Sequence, residues 1–144
     1  MEEILFRGKR IDNDEWVEGD LFSNAFFRGK DKSNCCYILD YDKIEYDDFQ
    51  SIFEQIDEFE VDPETICEYI NSRDQDKALV FTNDIVEFYW YDQFWNSYHY
   101  VGYIYKGKGC YKISTKNEVY YIDESIDIDK VIGNKFDNPE LLGK

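Results

Sequence analysis

The sequence predicts a mainly-β protein organised around a small curled sheet in its C-terminal half. Ile85-Val86-Glu87-Phe88, Tyr98 to Tyr105 and Cys110 to Ser114 are short runs rich in β-branched and aromatic residues, the composition of barrel-type strands. Tight-turn residues separate them: Asn83-Asp84 leads into the first run, and Gly107 to Gly109 joins the second to the third. Aromatics make up 19% of the chain, most of them Tyr and Phe, and such rings suit strands and interfaces.

In chain order, Leu5 to Arg10 starts a strand with a basic edge, Asp12-Asn13-Asp14 is a turn signal, and Glu15 to Phe22 returns, so residues 4–22 read as a hairpin. Cys35-Cys36-Tyr37-Ile38-Leu39 is a further strand. From Asp47 the apolar period changes. Phe49, Ile52, Phe53, Ile56 and Phe59 fall at helical spacing, Asp47 or Asp48 can cap the start, and Glu54, Asp57 and Glu58 lie off the stripe. This predicts one amphipathic helix with an acidic outer face, ended by Asp62-Pro63. Ile66 to Ile70 is a short apolar segment and Asn71 to Lys77 a charged loop. One domain is expected over residues 1–144: N-terminal strands over 1–40, the acidic helical segment and linker over 41–78, the barrel over 79–135 and a tail over 136–144.

Net charge is −16, and it is concentrated. Residues 40–76 carry 2 basic and 14 acidic groups, a net −12, while the segments on either side carry −2 each. Such a chain repels a phosphate polyanion, so direct nucleic-acid binding is not expected. No apolar run approaches the roughly 18 residues of a membrane span. The acidic start Met1-Glu2-Glu3 lacks the layout of a signal peptide. The expectation is a cytoplasmic protein without membrane contact.

Catalytic and metal signatures are weak. Cys35, Cys36, Cys67 and Cys110 form no C-x-x-C pair and read as reduced thiols. His99, the single histidine, sits inside a strand pattern, and no spacing pairs it with a cysteine nucleophile. There is no G-x-S-x-G, no P-loop and no dinucleotide fingerprint. Asp123, Asp127 and Asp129 lack the glycine and closing glutamate of a calcium loop. No enzyme activity, metal or cofactor is expected.

Four blocks, taken together, carry a family resemblance. Phe6-Arg7-Gly8-Lys9-Arg10 with Asp14 to Gly19, then Val61-Asp62-Pro63-Glu64-Thr65-Ile66, then Asn83 to Phe88, then Val131-Ile132-Gly133-Asn134 with Asn138 to Leu142, occur in that order. The chain resembles the YopX-like family of phage and prophage proteins. It departs from the pattern at Asn83, where the family usually has glycine, and at Asn71 to Asp76, which replaces a glycine-rich stretch. The resemblance implies an SH3-type β-barrel in the C-terminal half, an N-terminal hairpin region, a tendency to oligomerise and life inside an infected or lysogenic bacterial cell. It implies no established activity and carries over no catalytic residue.

Three surfaces are candidates for function. Ten of the residues 88–105 are Phe, Tyr or Trp. Strand alternation prevents all of them from entering one interior, so Tyr89, Tyr91, Trp95, Tyr103 and Tyr105 are expected to face out as an interface between copies. Asp47, Asp48, Glu54, Asp57 and Glu58 form an acidic surface suited to a basic host protein, against the plainer reading of a solvated helix face. Arg7, Lys9 and Arg10 could face Arg28 and Lys30 as an anion or nucleotide site, against the plainer reading of a charged strand edge. The expected function is therefore binding: a self-associating protein-interaction module, or alternatively a sponge for a nucleotide or other small anion.

Overall fold

The computed structural model describes residues 4–23, 35–40 and 56–143. The chain divides into two compact units, Met1–Glu68 and Tyr69–Lys144. Among the described residues of both, antiparallel strands dominate and the helical segments are short 3-10 turns.

The first unit is a sheet of β1 (Phe6–Lys9), β2 (Trp16–Ser23), β3 (Cys36–Leu39), β4 (Glu60–Val61) and the start of β5 (Cys67–Arg73). Its order is β4-β3-β2-β1, with Cys67 and Glu68 of β5 beside Arg7 and Phe6. The expected hairpin over residues 4–22 is present, with Phe6 opposite Gly19 and Lys9 opposite Trp16. Its turn uses Asn13 and Asp14 of the turn signal read from the sequence. Asn13 accepts the Glu15 N–H through its side chain at 2.9 Å, and Asp14 takes a left-handed φ of 59°. Alternation along β3 places Ile38 with Val17 and Val61, and Tyr37 and Leu39 with Cys35 and Phe59. Tyr37 and Ile38 are both fully buried, so this short strand has both faces covered.

Asp62-Pro63-Glu64-Thr65 is a 3-10 turn stitched to β1. The Asp62 carboxylate caps it by accepting the Glu64 N–H at 3.0 Å. The Thr65 hydroxyl accepts the Lys9 N–H at 2.9 Å and donates to the Asp62 carbonyl at 2.7 Å. Of the amphipathic helix expected from Asp47, residues 47–55 lie outside the described residues. Its end, Ile56–Phe59, is a 3-10 turn with Phe59 buried and Glu58 exposed. The apolar segment at Ile66 to Ile70 is not a separate element: it opens into β5, whose strand runs on through half of the expected charged loop to Arg73.

The second unit contains the rest of β5, β6 (Leu79–Phe81), β7 (Asp84–Tyr91), β8 (Ser97–Lys106), β9 (Tyr111–Thr115), β10 (Val119–Tyr121) and β11 (Ile126–Asn134). Five strands form a sheet in the order β10-β9-β8-β7-β11. The expected closure into a barrel is not seen among the described residues: β10 and β11 are the outer strands of an open sheet and do not pair with each other, since β10 spans only three residues and pairs with β9 alone. One face carries the core, Ile70, Val80, Val86, Phe88, Ile104, Ile113 and Ile128, flanked by Trp90, Tyr100 and Tyr120. Tyr120 lies 5.4 Å from Tyr100 and 5.6 Å from Phe88, ring centre to ring centre. Burial, reinforced by hydrogen bonding to Tyr100 and Glu118, pushes the Tyr120 phenol far above its ordinary pKa, so it stays neutral.

Side-chain clips hold the strand ends. Asp84, almost fully buried, accepts the Phe81 N–H at 2.8 Å, while Asn83 turns with φ 71°, a left-handed conformation that Asn tolerates. Gly109 supplies the left-handed residue of the β8–β9 turn, with φ 70°. At the other end, Asn134 accepts the Phe136 and Asp137 N–H groups through its side chain, and Asn138 accepts the Asn134 N–H through its own. A Cβ on Gly133 would stand 2.5 Å from the Asn138 Oδ1, so this clip admits only glycine there. The blocks Val61 to Ile66, Asn83 to Phe88 and Val131 to Asn138 therefore coincide with turns and clips that position strands.

Candidate functional site: an aromatic sheet face

The pairing of β7 with β8 sorts the aromatic run by parity. Phe88 lies opposite Tyr100 and Trp90 opposite Tyr98, whereas Tyr89 lies opposite His99 and Tyr91 opposite Ser97. Phe88, Trp90 and Tyr100 belong to the core side. Tyr89, Tyr91, Tyr103 and Tyr105 take the alternate positions and line the other face, each half-buried. Tyr103 and Tyr105 stand 6.0 Å apart, and the Lys135 ammonium lies 4.1 Å from the centre of the Tyr103 ring. Tyr91 reaches Trp95 at 6.1 Å, which joins this face to the β7–β8 turn.

That turn is organised by one carboxylate. Asp92 accepts the N–H groups of Phe94 at 2.9 Å and Asn96 at 3.0 Å, and also the Asn96 side-chain amide and the Tyr98 hydroxyl. The desolvation that would raise its pKa is outweighed by these bonds, and the group is held below the usual carboxylate range. The Tyr98 phenol is raised, first by the charge of Asp92. The loop so fixed presents Phe94 and Trp95 at its tip, 73% and 75% exposed. Trp95 has φ 64°, a left-handed conformation costly for a bulky residue. Two large rings in water on a braced, strained turn are what a contact surface requires and what a solvated hairpin avoids. Phe94 is not singled out by composition. The signal that finds it is Asp92 opening a short loop between two strand patterns, with Asn96 closing it.

Beside the row of tyrosines lies a shallow cavity of about 320 Å³, lined by Val101, Tyr103, Thr115, Lys116, Leu141 and Leu142. The same sheet face also carries Glu87, His99 and Asp129, whose ligand-capable atoms all lie within 4.8 Å of one another. Asp123 is not part of that group: its carboxylate accepts the Ser125 N–H at 2.8 Å and is held below its ordinary pKa by Ser125.

The other two candidate surfaces fare differently. Arg7 and Lys9 both lie over the Trp16 ring, at 4.7 and 5.4 Å, and Arg10 pairs with Asp12 at 2.7 Å. These three cations are thus engaged within the first unit, and Arg28 and Lys30 lie outside the described residues. Asp47, Asp48 and Glu54 also lie outside them; Asp57 belongs to the 3-10 turn Ile56–Phe59 and Glu58 is exposed. Cys35 and Cys67 are buried, and Cys36 and Cys110 half-buried, all as free thiols. Burial, and then the neighbouring Cys35 and Glu60, raises the Cys36 thiol. Cys110 sits at the β8–β9 turn, at the opposite end of β8 from His99. Among the described residues, no helix is long and apolar enough to cross a membrane. No family model, curated protein or solved structure matches this chain.

Proposed function

We propose that this chain works by binding rather than catalysis, as a YopX-like phage or prophage accessory protein that self-associates through the aromatic face of its second unit. The observation that carries this reading is the braced tip at Phe94 and Trp95, continuous with Tyr91 and the half-buried tyrosines of β7 and β8. Aromatic anchors in a ring of polar groups dominate the energy of protein contacts. The second unit is read as an SH3-type sheet, since β7 to β10 form a meander and β11 returns to pair with β7, the strand arrangement of a partly open five-stranded barrel. A second copy is the favoured occupant because the acidity lies mainly in residues 40–76. The second unit, residues 69–144, carries 9 basic and 12 acidic groups, a net −3, so its own charge opposes contact between two such faces only weakly.

Sedimentation over a range of protein concentrations tests this. The native chain is expected to associate, and the double change Phe94→Ala with Trp95→Ala to weaken association by roughly a hundredfold, in line with the loss of two hot-spot rings. A native chain that stays monomeric, or a variant that associates equally well, overturns the reading.

The charge of residues 40–76 favours a second contact, with a basic host protein. Association with such a partner, captured from host extract, is expected to weaken steeply as salt rises, and to be lost when Glu54, Asp57 and Glu58 are replaced by Lys. Capture that is indifferent to salt removes this second contact and leaves the first untouched.

A further inference from the structure

The face that carries the tyrosines departs from strand chemistry at three points. Glu87 on β7, His99 on β8 and Asp129 on β11 are polar residues set among Tyr89, Tyr91, Val101 and Tyr103. Glu and Asp are depleted in strands because a half-buried carboxylate loses hydration without gaining packing. Glu87 and Asp129 are both half-buried, and His99 is exposed. Among the described residues, neither carboxylate accepts a hydrogen bond or enters an ion pair. Three groups that bear lone pairs thus converge with no protein partner to consume them.

The backbone arranges this convergence. β11 pairs with β7 in register up to Ile128 opposite Phe88, then shifts so that Lys130 stands opposite Glu87. Asp129 is the extra residue of the resulting bulge, a device that re-aims a side chain. Without the bulge, Asp129 would pair directly with Glu87 and the rest of β11 would change faces. The Gln75 N–H donates to the Asp129 carbonyl at 3.0 Å, and the Gln75 side-chain amide donates to Asp127 at 3.0 Å, which secures the bulged segment. The His99 ring rests 4.9 Å from the Tyr89 ring, its direct cross-strand neighbour.

We propose that Glu87, His99 and Asp129 form a binding site for a first-row divalent cation, with zinc as its representative. One imidazole and two carboxylates are a donor set of that class, and the two negative charges match the charge of the ion. Two ligands of one ion with bonds of about 2.1 Å stand at most about 4.2 Å apart. The donors here lie within 4.8 Å, so small rotations of the Glu87 and Asp129 side chains close the set. Three protein ligands leave the remaining positions of the ion to water, and the exposed side of His99 gives the ion its entry.

The test uses the intact chain, stripped with a chelator and titrated with zinc chloride. The chain has one histidine, so its imidazole resonances report His99 unambiguously. Those resonances are expected to shift and saturate at one equivalent. Glu87→Gln and Asp129→Asn, which keep side-chain shape, should each weaken binding by roughly tenfold or more, and His99→Ala should abolish it, while magnesium chloride leaves the resonances in place. Thermal unfolding without metal should match the native chain for the Gln and Asn variants, which keep side-chain size and break no hydrogen bond or ion pair. His99 resonances that stay fixed while zinc is taken up by the four cysteines overturn the proposal, as do Gln and Asn variants that bind with native affinity.

Discussion

Replacing Asp74 by Ala is expected to destabilise the chain by at least about 3 kcal/mol, because it strips the acceptor from three backbone N–H groups at once. Asp74 is only 5% exposed. One of its oxygens accepts from Asp76 and Ala78, both at 2.9 Å, and the other reaches across to Val131 at 3.0 Å. It therefore closes the β5–β6 turn and ties that turn to β11 just past the bulge. Burial alone would raise its pKa. The three N–H bonds, aided by the charge of Lys130, win and hold it below the ordinary 3.8. A depressed carboxylate contributes stability that is fully present above its unfolded value and is lost as pH falls through the lower folded value. Urea unfolding of native chain and Asp74→Asn should thus differ most near neutrality and converge in acid below that 3.8. An Asn variant with native stability at neutral pH would show that the charge does not hold this turn.

Phe88→Ala is expected to cost about 3–5 kcal/mol, the range for deleting a buried ring. Phe88 has no exposed surface, and it supports Tyr100 at 6.0 Å and Tyr120 at 5.6 Å. The comparison with the tip gives this its value. Phe88→Ala should lower the urea midpoint strongly, whereas Trp95→Ala should leave stability nearly unchanged while weakening self-association. Trp95 has little burial to lose, and Ala keeps the same Cβ at this left-handed φ, so the change neither adds nor removes backbone strain. A Trp95 variant as unstable as the Phe88 variant would mean that the tip is core, and the binding reading of this face would fall.

The contrast between those two residues marks what the sequence could disclose. Strand alternation alone divides a run of aromatics into two sets, and Tyr89, Tyr91, Tyr103 and Tyr105 do take the positions opposite the core. The mainly-β class, the hairpin over residues 4–22 and the turns at Asn83 and Gly107 to Gly109 were legible for the same reason: each depends on residues close in the chain. The open edge of the second sheet was not, because closure depends on how β10 and β11 meet. The Asp74 clip was hidden too, since an acid in a charged loop looks solvated until β11 is laid beside it.

By itself, the amino-acid order determined the strands within residues 4–22, 35–39, 85–88, 98–105 and 110–114, the turns that join the hairpins, and that negative charge gathers in residues 40–76, all consequences of local preference and composition. Only the tertiary structure decided which side chains share a surface. Glu87, His99 and Asp129 are far apart along the chain and meet because three strands pair in one register and a single inserted residue shifts it. Pairing register is set by the packing of a whole face, and no stretch of a few residues encodes it.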